Sequence, residues 1–374
     1  MFKGYKYRIY PNKTQEQSIN QMFGNARWVY NWALARRIKA YQKDKTSISA
    51  FTLMKELAKM KKKPEYEWLN LSVAQSLQQS IRNMDKAFKR FFREKHGFPR
   101  FKLKHDNQSI MFPQNTKIDF DANRVWVLKL GWIPARLSRT FDGTIKTAVI
   151  SKTKTGKFFI SITVDEPKNQ PNKKPIQEHG AVGIDTGSKT YATLSDGTRI
   201  ENPKYLVRSL KRLRMLQRRV SKKVKGSKNR AKAIMRLARQ HEKVTNQRLD
   251  FLHKRTTEIA NRYDTVFCEN LNIKGMMANR KLARSIGDLG LGYFYQMLKY
   301  KLEERGKNYD EIGRFEPSSK LCTCGVINNK LTLADREWTC ESCGRTHDRD
   351  FLAANNILRF GLQKHNVKAV GTTV

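Results

Sequence analysis

An excess of positive charge constrains this chain more than any other feature. Its 374 residues carry 75 Lys and Arg against 33 Asp and Glu, a formal net charge of +42 at pH 7. A compact fold with that charge repels itself unless a polyanion neutralises it, and a pI near 10.2 points to a partner with many phosphates. Nucleic acid is the expected partner, ahead of a basic surface that is merely solvated and of an anionic membrane. Hydrophobic residues at 39% and aromatics at 10% suffice for packed cores, which argues against wholesale disorder. The length allows about two or three domains. No run of about 18 apolar residues appears, and Met1 to Lys6 lacks the apolar core of a signal peptide, so a soluble, cytoplasmic protein is expected.

The charge is concentrated. Between residues 204 and 255 nineteen Lys or Arg stand against two acids, Glu242 and Asp250. Leu206, Leu210, Leu213, Leu216, Val220 and Val224 keep helical spacing until Gly226-Ser227, and a second helix is expected from about Asn229. The pattern is a helical hairpin with a buried seam and cationic flanks, on which Arg212, Arg218, Arg219, Lys222 and Lys223 are candidate phosphate contacts.

Upstream, residues 3–10 alternate as a half-buried strand, with Tyr5, Tyr7 and Ile9 on one face. Thr14 and Gln17 have capping-box spacing before a helix marked by Ile19, Met22, Phe23, Ala26, Val29 and Ala33. A second helix is predicted over residues 72–95, with Val73, Leu77, Ile81, Met84, Phe88 and Phe91 as its apolar stripe and basic residues elsewhere. Runs at 124–130, 145–151 and 157–164 read as strands, separated by Asp142-Gly143 and Thr155-Gly156 turns. A small antiparallel barrel is expected; if the first strand joins it, the helical region is an insertion. A proline-punctuated linker at 167–175 is the clearest boundary. Beyond it come a strand pair at 181–185 and 190–194 with an Asp196-Gly197 turn, a buried strand at 265–268, and a helix over 293–302. The residues from Arg359 onward show little periodicity and read as a loose tail.

Four of the five cysteines, Cys322, Cys324, Cys340 and Cys343, crowd one segment, and Cys268 stands apart. In a cytosolic chain that favours metal over disulfides. Four thiolates can reach one Zn²⁺, although Cys322-Thr323-Cys324 makes a tighter knuckle than the two-residue spacing of Cys340 and Cys343; His347 is a possible substitute ligand, and an empty, redox-labile loop is the alternative. Acids in so basic a chain also need a reason. Asp185 and Glu269 close strand patterns and Asp350 precedes a helical one; singly, each could be a cap or turn residue, but together they could hold two Mg²⁺ ions roughly 4 Å apart for phosphodiester chemistry.

These residues resemble the TnpB family, transposon-encoded RuvC-like nucleases ancestral to type V CRISPR effectors. The resemblance runs in family order through Tyr5-Lys6-Tyr7-Arg8-Ile9-Tyr10-Pro11, Gly97-Phe98-Pro99-Arg100-Phe101-Lys102 and Gly183-Ile184-Asp185-Thr186-Gly187. It continues with Glu269-Asn270-Leu271-Asn272-Ile273-Lys274-Gly275-Met276, Pro317-Ser318-Ser319-Lys320, and Asp348-Arg349-Asp350 with its downstream Ala353-Ala354-Asn355. Thr186 stands where an apolar residue is common, Leu352 where Asn is frequent, and the first cysteine pair is one residue short.

The resemblance implies an α/β, ribonuclease-H-like (RuvC) nuclease domain with a zinc-ribbon insert, beside a wedge β-barrel carrying an inserted helical recognition bundle. The expected segments are 1–12 and 106–178 for the barrel, 13–105 for the recognition domain, and 179–313 for the nuclease domain with its basic hairpin at 203–258. The ribbon falls at 314–345, and 346–374 completes the nuclease domain and tail. Asp185, Glu269 and Asp350 match the catalytic, Mg²⁺-binding acids, and Arg349 is a candidate contact to the cut strand. The implied activity is cleavage of double-stranded DNA guided by a transposon-derived omega RNA next to a short DNA motif, in a prokaryotic cytoplasm and on the nucleoid when DNA-bound. The alternative is a guided DNA-binding repressor without cleavage.

Overall fold

The computed structural model describes residues 1–94, 96–167, 171–280, 282–332 and 335–367, in two units, Met1–Asn169 and Gln170–Val374. In the first unit the alternating start forms strand β1 (Phe2–Ile9), which buries Tyr5, Tyr7 and Ile9. Helix α1 (Lys13–Asp44) follows. Its capping box is Asn12 with Gln15: the Asn12 side chain accepts the Gln15 N–H at 2.8 Å, and Gln15 Oε1 accepts the Asn12 N–H at 3.1 Å. The spacing had suggested Thr14 and Gln17 instead. Asn12 keeps the extended backbone a cap requires, whereas Thr14 already lies in the first turn.

Helix α1 serves two cores. Its first half lays Ile19, Met22, Phe23 and Ala26 on a sheet, and its second half contributes Val29, Tyr30, Ala33 and Leu34 to a helical cluster. That cluster is completed by α2 (Ala50–Met60), a 3₁₀ turn (Pro64–Leu71) and α3 (Ala74–Glu94), where Leu53, Leu57, Leu69, Leu77, Ile81 and Met84 are fully buried. Each such side chain contributes about 1.5–3 kcal/mol through the hydrophobic effect.

The sheet comprises β1 with β2 (Gln108–Phe112), β3 (Thr116–Asp119), β4 (Arg124–Val127), β5 (Gly131–Arg136), β6 (Thr144–Lys152) and β7 (Phe158–Asp165). Among the described residues its order is β2-β6-β7-β1-β5-β4-β3, with antiparallel pairing throughout. The helices are thus inserted between its first two strands in sequence. The expected barrel does not close: among the described residues no ladder joins the edge strands β2 and β3. Pro113 follows β2 without an N–H to donate, and Asn115 precedes β3 in a left-handed turn (φ 58°), so consecutive strands part to opposite ends of the order.

In the second unit β8 (Ala181–Thr186), β9 (Thr190–Leu194) and β10 (Arg199–Glu201) form an antiparallel meander. Helices α4 (Tyr205–Ser221) and α5 (Lys228–Arg262) make the basic hairpin. Then come β11 (Thr265–Cys268), α6 (Ile273–Ala278), α7 (Ala283–Leu289), α8 (Leu291–Glu303) and β12 (Asn308–Glu311). The short hairpin β13 (Glu337–Thr339) and β14 (Thr346–Asp348) leads into α9 (Arg349–Lys364). The main sheet runs β10-β9-β8-β11-β12, and β11 is parallel to both its neighbours.

Helices cover both faces of this sheet. Val182, Ile184, Val266 and Cys268 meet α5, α7 and α8 on one side, while Phe267 meets Ile357 and Leu362 of α9 on the other. Two sequence expectations fail here. Val224 is 76% exposed rather than in the hairpin seam, because α4 stops at Ser221 and Val224 lies in the connecting turn. The residues from Arg359 to Lys364 continue α9 rather than forming a tail, since Leu358, Gly361 and Leu362 pack on the sheet; residues 368–374 lie outside the described residues.

Candidate active site and metal centre

Strand register brings two of the three acids together. Cys268 of β11 pairs with Ile184 of β8 in parallel, so the next residue of each strand, Glu269 and Asp185, emerges at the same end of the sheet. The carboxyl ends of parallel strands are where open α/β sheets bind ligands. The third acid, Asp350, is in the first turn of α9, and two glycines set how closely α9 approaches. A Cβ on Gly183 of β8 would fall 2.1 Å from the Ala354 carbonyl oxygen and 2.5 Å from the Leu358 nitrogen. A Cβ on Gly361 would fall 2.3 Å from the Phe267 ring. The helix backbone therefore rests directly on the strands, crossing them from Asp348 beside Arg199 of β10 to Lys364 beside Asp310 of β12.

The electrostatics agree with this convergence. Burial, then the charge of Glu269, then that of Asp350 push Asp185 up to about 8, while Arg349 opposes them. Ser318 Oγ donates to Glu269 Oε1 at 2.5 Å. Arg336 ion-pairs with Asp350 at 3.4 Å. Arg349 donates to the carbonyls of Thr332 and Asp335, at 3.1 and 3.3 Å, so its guanidinium is held by the segment that precedes β13. Asp348 caps α9 by accepting the Phe351 N–H at 2.8 Å and pairs with Arg199 at 2.8 Å. Thr186, polar where an apolar residue was expected, shares a 2.7 Å hydrogen bond with the Tyr295 hydroxyl.

The four cysteines form a tight cluster whose sulfurs all lie within 4.8 Å of one another. Among the described residues the three acids form no group that compact. Cys322 and Cys343 sulfurs are 3.6 Å apart and those of Cys324 and Cys340 are 3.7 Å apart. A tetrahedron of Zn–S bonds of about 2.3 Å has edges of about 3.8 Å, so the donor set fits a structural Zn²⁺ despite the short first spacing. Gly325 and Gly344 follow the two pairs in left-handed conformation (φ 92° and 68°), which each knuckle turn requires. N–H groups of Cys343 and Ser342 aimed at Cys340 lower its thiol to about 7. His347 lies 3.0 Å from the Cys322 sulfur, as a hydrogen-bond partner beside the complete thiolate set. Leu352, in the place often held by Asn, packs with Cys322, Trp338 and Cys340 and so joins α9 to the cluster.

Arg212, Arg218, Arg219, Lys222 and Lys223 are all exposed on or just beyond α4. A cleft of about 600 Å³ along the hairpin is lined by Arg212, Arg219, Arg236, Arg239 and Lys243. Sequence reasoning missed Ser318, Arg336 and Asn356 as neighbours of the site. The Pro317-Ser318-Ser319-Lys320 motif was the only signal for the first, and nothing in the spacing marks the other two.

Three family models match the chain. Residues 159–280 match OrfB_IS605, "Probable transposase"; residues 1–46 match a helix-turn-helix domain of the same series; and residues 292–357 match a Cas12f1-like TNB domain. Residues 1–46 here hold β1 and the single long helix α1. A Streptomyces pristinaespiralis protein named as an RNA-guided DNA endonuclease is 36% identical, over 96% of this chain and 89% of its own length. The Escherichia coli K12 protein InsQ, similarly named, is 32% identical over 100% of this chain and 94% of its own. Among solved structures, Cas12f1 in its sgRNA–target DNA complex superposes with a TM-score of 0.59 at 15% identity, covering 96% of this chain and 98% of that one. The mini RNA-guided endonuclease Cas_phi3 gives 0.53 at 9% identity, covering 97% and 92%.

Proposed function

The chain belongs to the TnpB family of RNA-guided nucleases, and on that premise we propose that it cuts double-stranded DNA under the direction of an omega RNA, beside a short DNA motif. The single observation that carries this reading is the parallel register that sets Glu269 and Asp185 at one end of the sheet, within electrostatic reach of Asp350. Burial first, and then the charges of Glu269 and Asp350, raise Asp185 in a chain of net charge +42, an environment that a bound cation would relieve. The acids are less tightly grouped than the cysteines, and two ions roughly 4 Å apart would have to bridge them.

Asp185, Glu269 and Asp350 would hold the ions. When bound, Mg²⁺ supplies positive charge for the attacking water and the leaving oxygen. Ser318 orients Glu269, and Arg336 and Arg349 hold positive charge beside the acids where a phosphodiester would sit. The thiolate cluster is structural. The hairpin at 203–258, with Arg212, Arg218, Arg219, Lys222 and Lys223, neutralises nucleic acid backbone. Residues 1–12 and 106–178 act as the wedge and 13–105 as the recognition bundle, which together read the motif; base pairing with the guide supplies the rest of the specificity. In the second unit the nuclease domain spans 179–313, the ribbon 314–345, and 346–374 completes it.

The test is a target plasmid incubated with the guide-loaded protein and Mg²⁺. Nicked or linear product is expected, and Asp185→Ala should abolish it while guide binding persists. Stable target binding without any product would identify a guided repressor instead, and undiminished cutting by Asp185→Ala would remove the acid assignment.

A further inference from the structure

Glu269 lies one residue beyond the end of β11, where the chain leaves the sheet. Its hydrogen-bond partner comes from a distant segment. Ser318, 5% exposed, lies in the turn between β12 and the thiolate cluster, where the Lys320 and Leu321 N–H groups both donate to the Pro317 carbonyl, at 3.1 and 3.0 Å. That turn is pinned by Asn356 of α9, 3% exposed, whose Nδ2 donates to the carbonyls of Ser318 at 2.8 Å and of Leu321 at 2.7 Å. Both N–H bonds of the amide are thereby used, on the carbonyl of the residue that holds Glu269 and on that of the residue preceding Cys322.

We propose that Ser318 is the positioning residue for Glu269, and that Asn356 makes α9 responsible for two acids at once: Asp350 through the covalent chain and Glu269 through the Ser318 turn. The proposal deepens the acid-site reading above and rests on it. A hydroxyl donated to one carboxylate oxygen fixes the side-chain rotamer and leaves the other oxygen free to face a cation. Residues that orient a metal ligand from behind typically govern metal affinity or activity by about 10–100-fold. Asn356 also ties the root of the thiolate cluster to the same turn, so loosening that root loosens Glu269.

The experiment measures Mn²⁺ binding to the RNA-free, full-length, zinc-loaded protein by electron paramagnetic resonance, for the parent, Ser318→Ala, Ser318→Cys, Asn356→Ala and Glu269→Gln. Thermal unfolding is recorded alongside. Glu269→Gln reports on the acid-site reading: unchanged Mn²⁺ binding in that variant overturns the reading itself. With that control weakened as expected, Ser318→Ala should bind Mn²⁺ about 10-fold more weakly with little change in unfolding temperature. Ser318→Cys, a poorer donor of similar shape, should fall between. Asn356→Ala should weaken Mn²⁺ at least as much as Ser318→Ala. Parent-like Mn²⁺ binding by Ser318→Ala, or equal weakening by Ser318→Cys and Ser318→Ala together with a matching loss of stability, overturns the positioning role while leaving the acid site standing.

Discussion

The approach of α9 to β8 makes Gly183→Ala a severe test. The new Cβ would sit 2.1 Å from the Ala354 oxygen and 2.5 Å from the Leu358 nitrogen, both backbone atoms that no rotamer change can move. Ordinary contact needs at least about 3 Å, so α9 must lift by roughly 1 Å at that point, and Asp350, one turn earlier, moves with it. Overpacking of this kind costs about 1–3 kcal/mol. For a unit of about 200 residues each kcal/mol lowers the unfolding temperature by roughly 2–4 °C, so a drop near 5 °C is expected. The chemical step should suffer more, because a displacement of about 1 Å at a reacting centre can cost about 100-fold in rate. Single-turnover cleavage of a guide-matched plasmid, with guide affinity and zinc content as controls, reads this directly. Cleavage within about threefold of the parent, at unchanged unfolding temperature, would refute the claim that the glycine contact sets Asp350.

Three further outcomes follow. Without Mg²⁺, Asp185→Asn should raise the unfolding temperature at pH 7–8, and the gain should vanish toward pH 4. The native carboxyl, raised to about 8, holds its proton where the unfolded chain has lost it, so the stability it contributes is full below about pH 4 and lost as pH rises through 8; a pH-independent gain would rule this out. One zinc per chain is expected by mass spectrometry, and chelation or Cys340→Ser should open residues 314–348 to protease while far-UV circular dichroism barely changes; protection equal to the parent's would count against a structural ion. Guide-RNA affinity should fall steeply with salt, and Arg212→Ala with Arg219→Ala should flatten the log–log slope by about one to two; an unaltered slope would remove the hairpin as a phosphate surface.

Much of the second unit was legible because its signals are local. Unbroken apolar runs give β8 and β11, the leucine ladder gives α4, and cysteine spacing gives the thiolate cluster. The candidate acids stand out in the sequence as residues, while the parallel register that sets Glu269 beside Asp185 is encoded by no local pattern. Ser318 and Asn356 were illegible for the same reason: their hydrogen bonds span 49 and 38 residues. In the first unit β2, β3 and β5 are five, four and six residues long, with Pro113 directly after β2 and Pro134 inside β5, so period-2 alternation never accumulates over enough residues to announce them. The barrel expectation failed on pairing across the sheet edges, again a non-local matter. Asn12 was overlooked as a cap because the Thr14 spacing offered a plausible rival one residue inside the helix.

Helix α1 has one consequence for anyone hoping to trade parts among such proteins. Since a single 32-residue rod roofs the sheet with its first four turns and founds the helical cluster with the rest, the insertion has no clean seam at its N-terminal edge. A graft taken from Lys13 onward carries off the sheet's cover, and one begun at mid-rod asks two unrelated surfaces to agree on the rotation of one helix. Exchange of this region should succeed only when α1 and the strands beneath it travel as one inherited block.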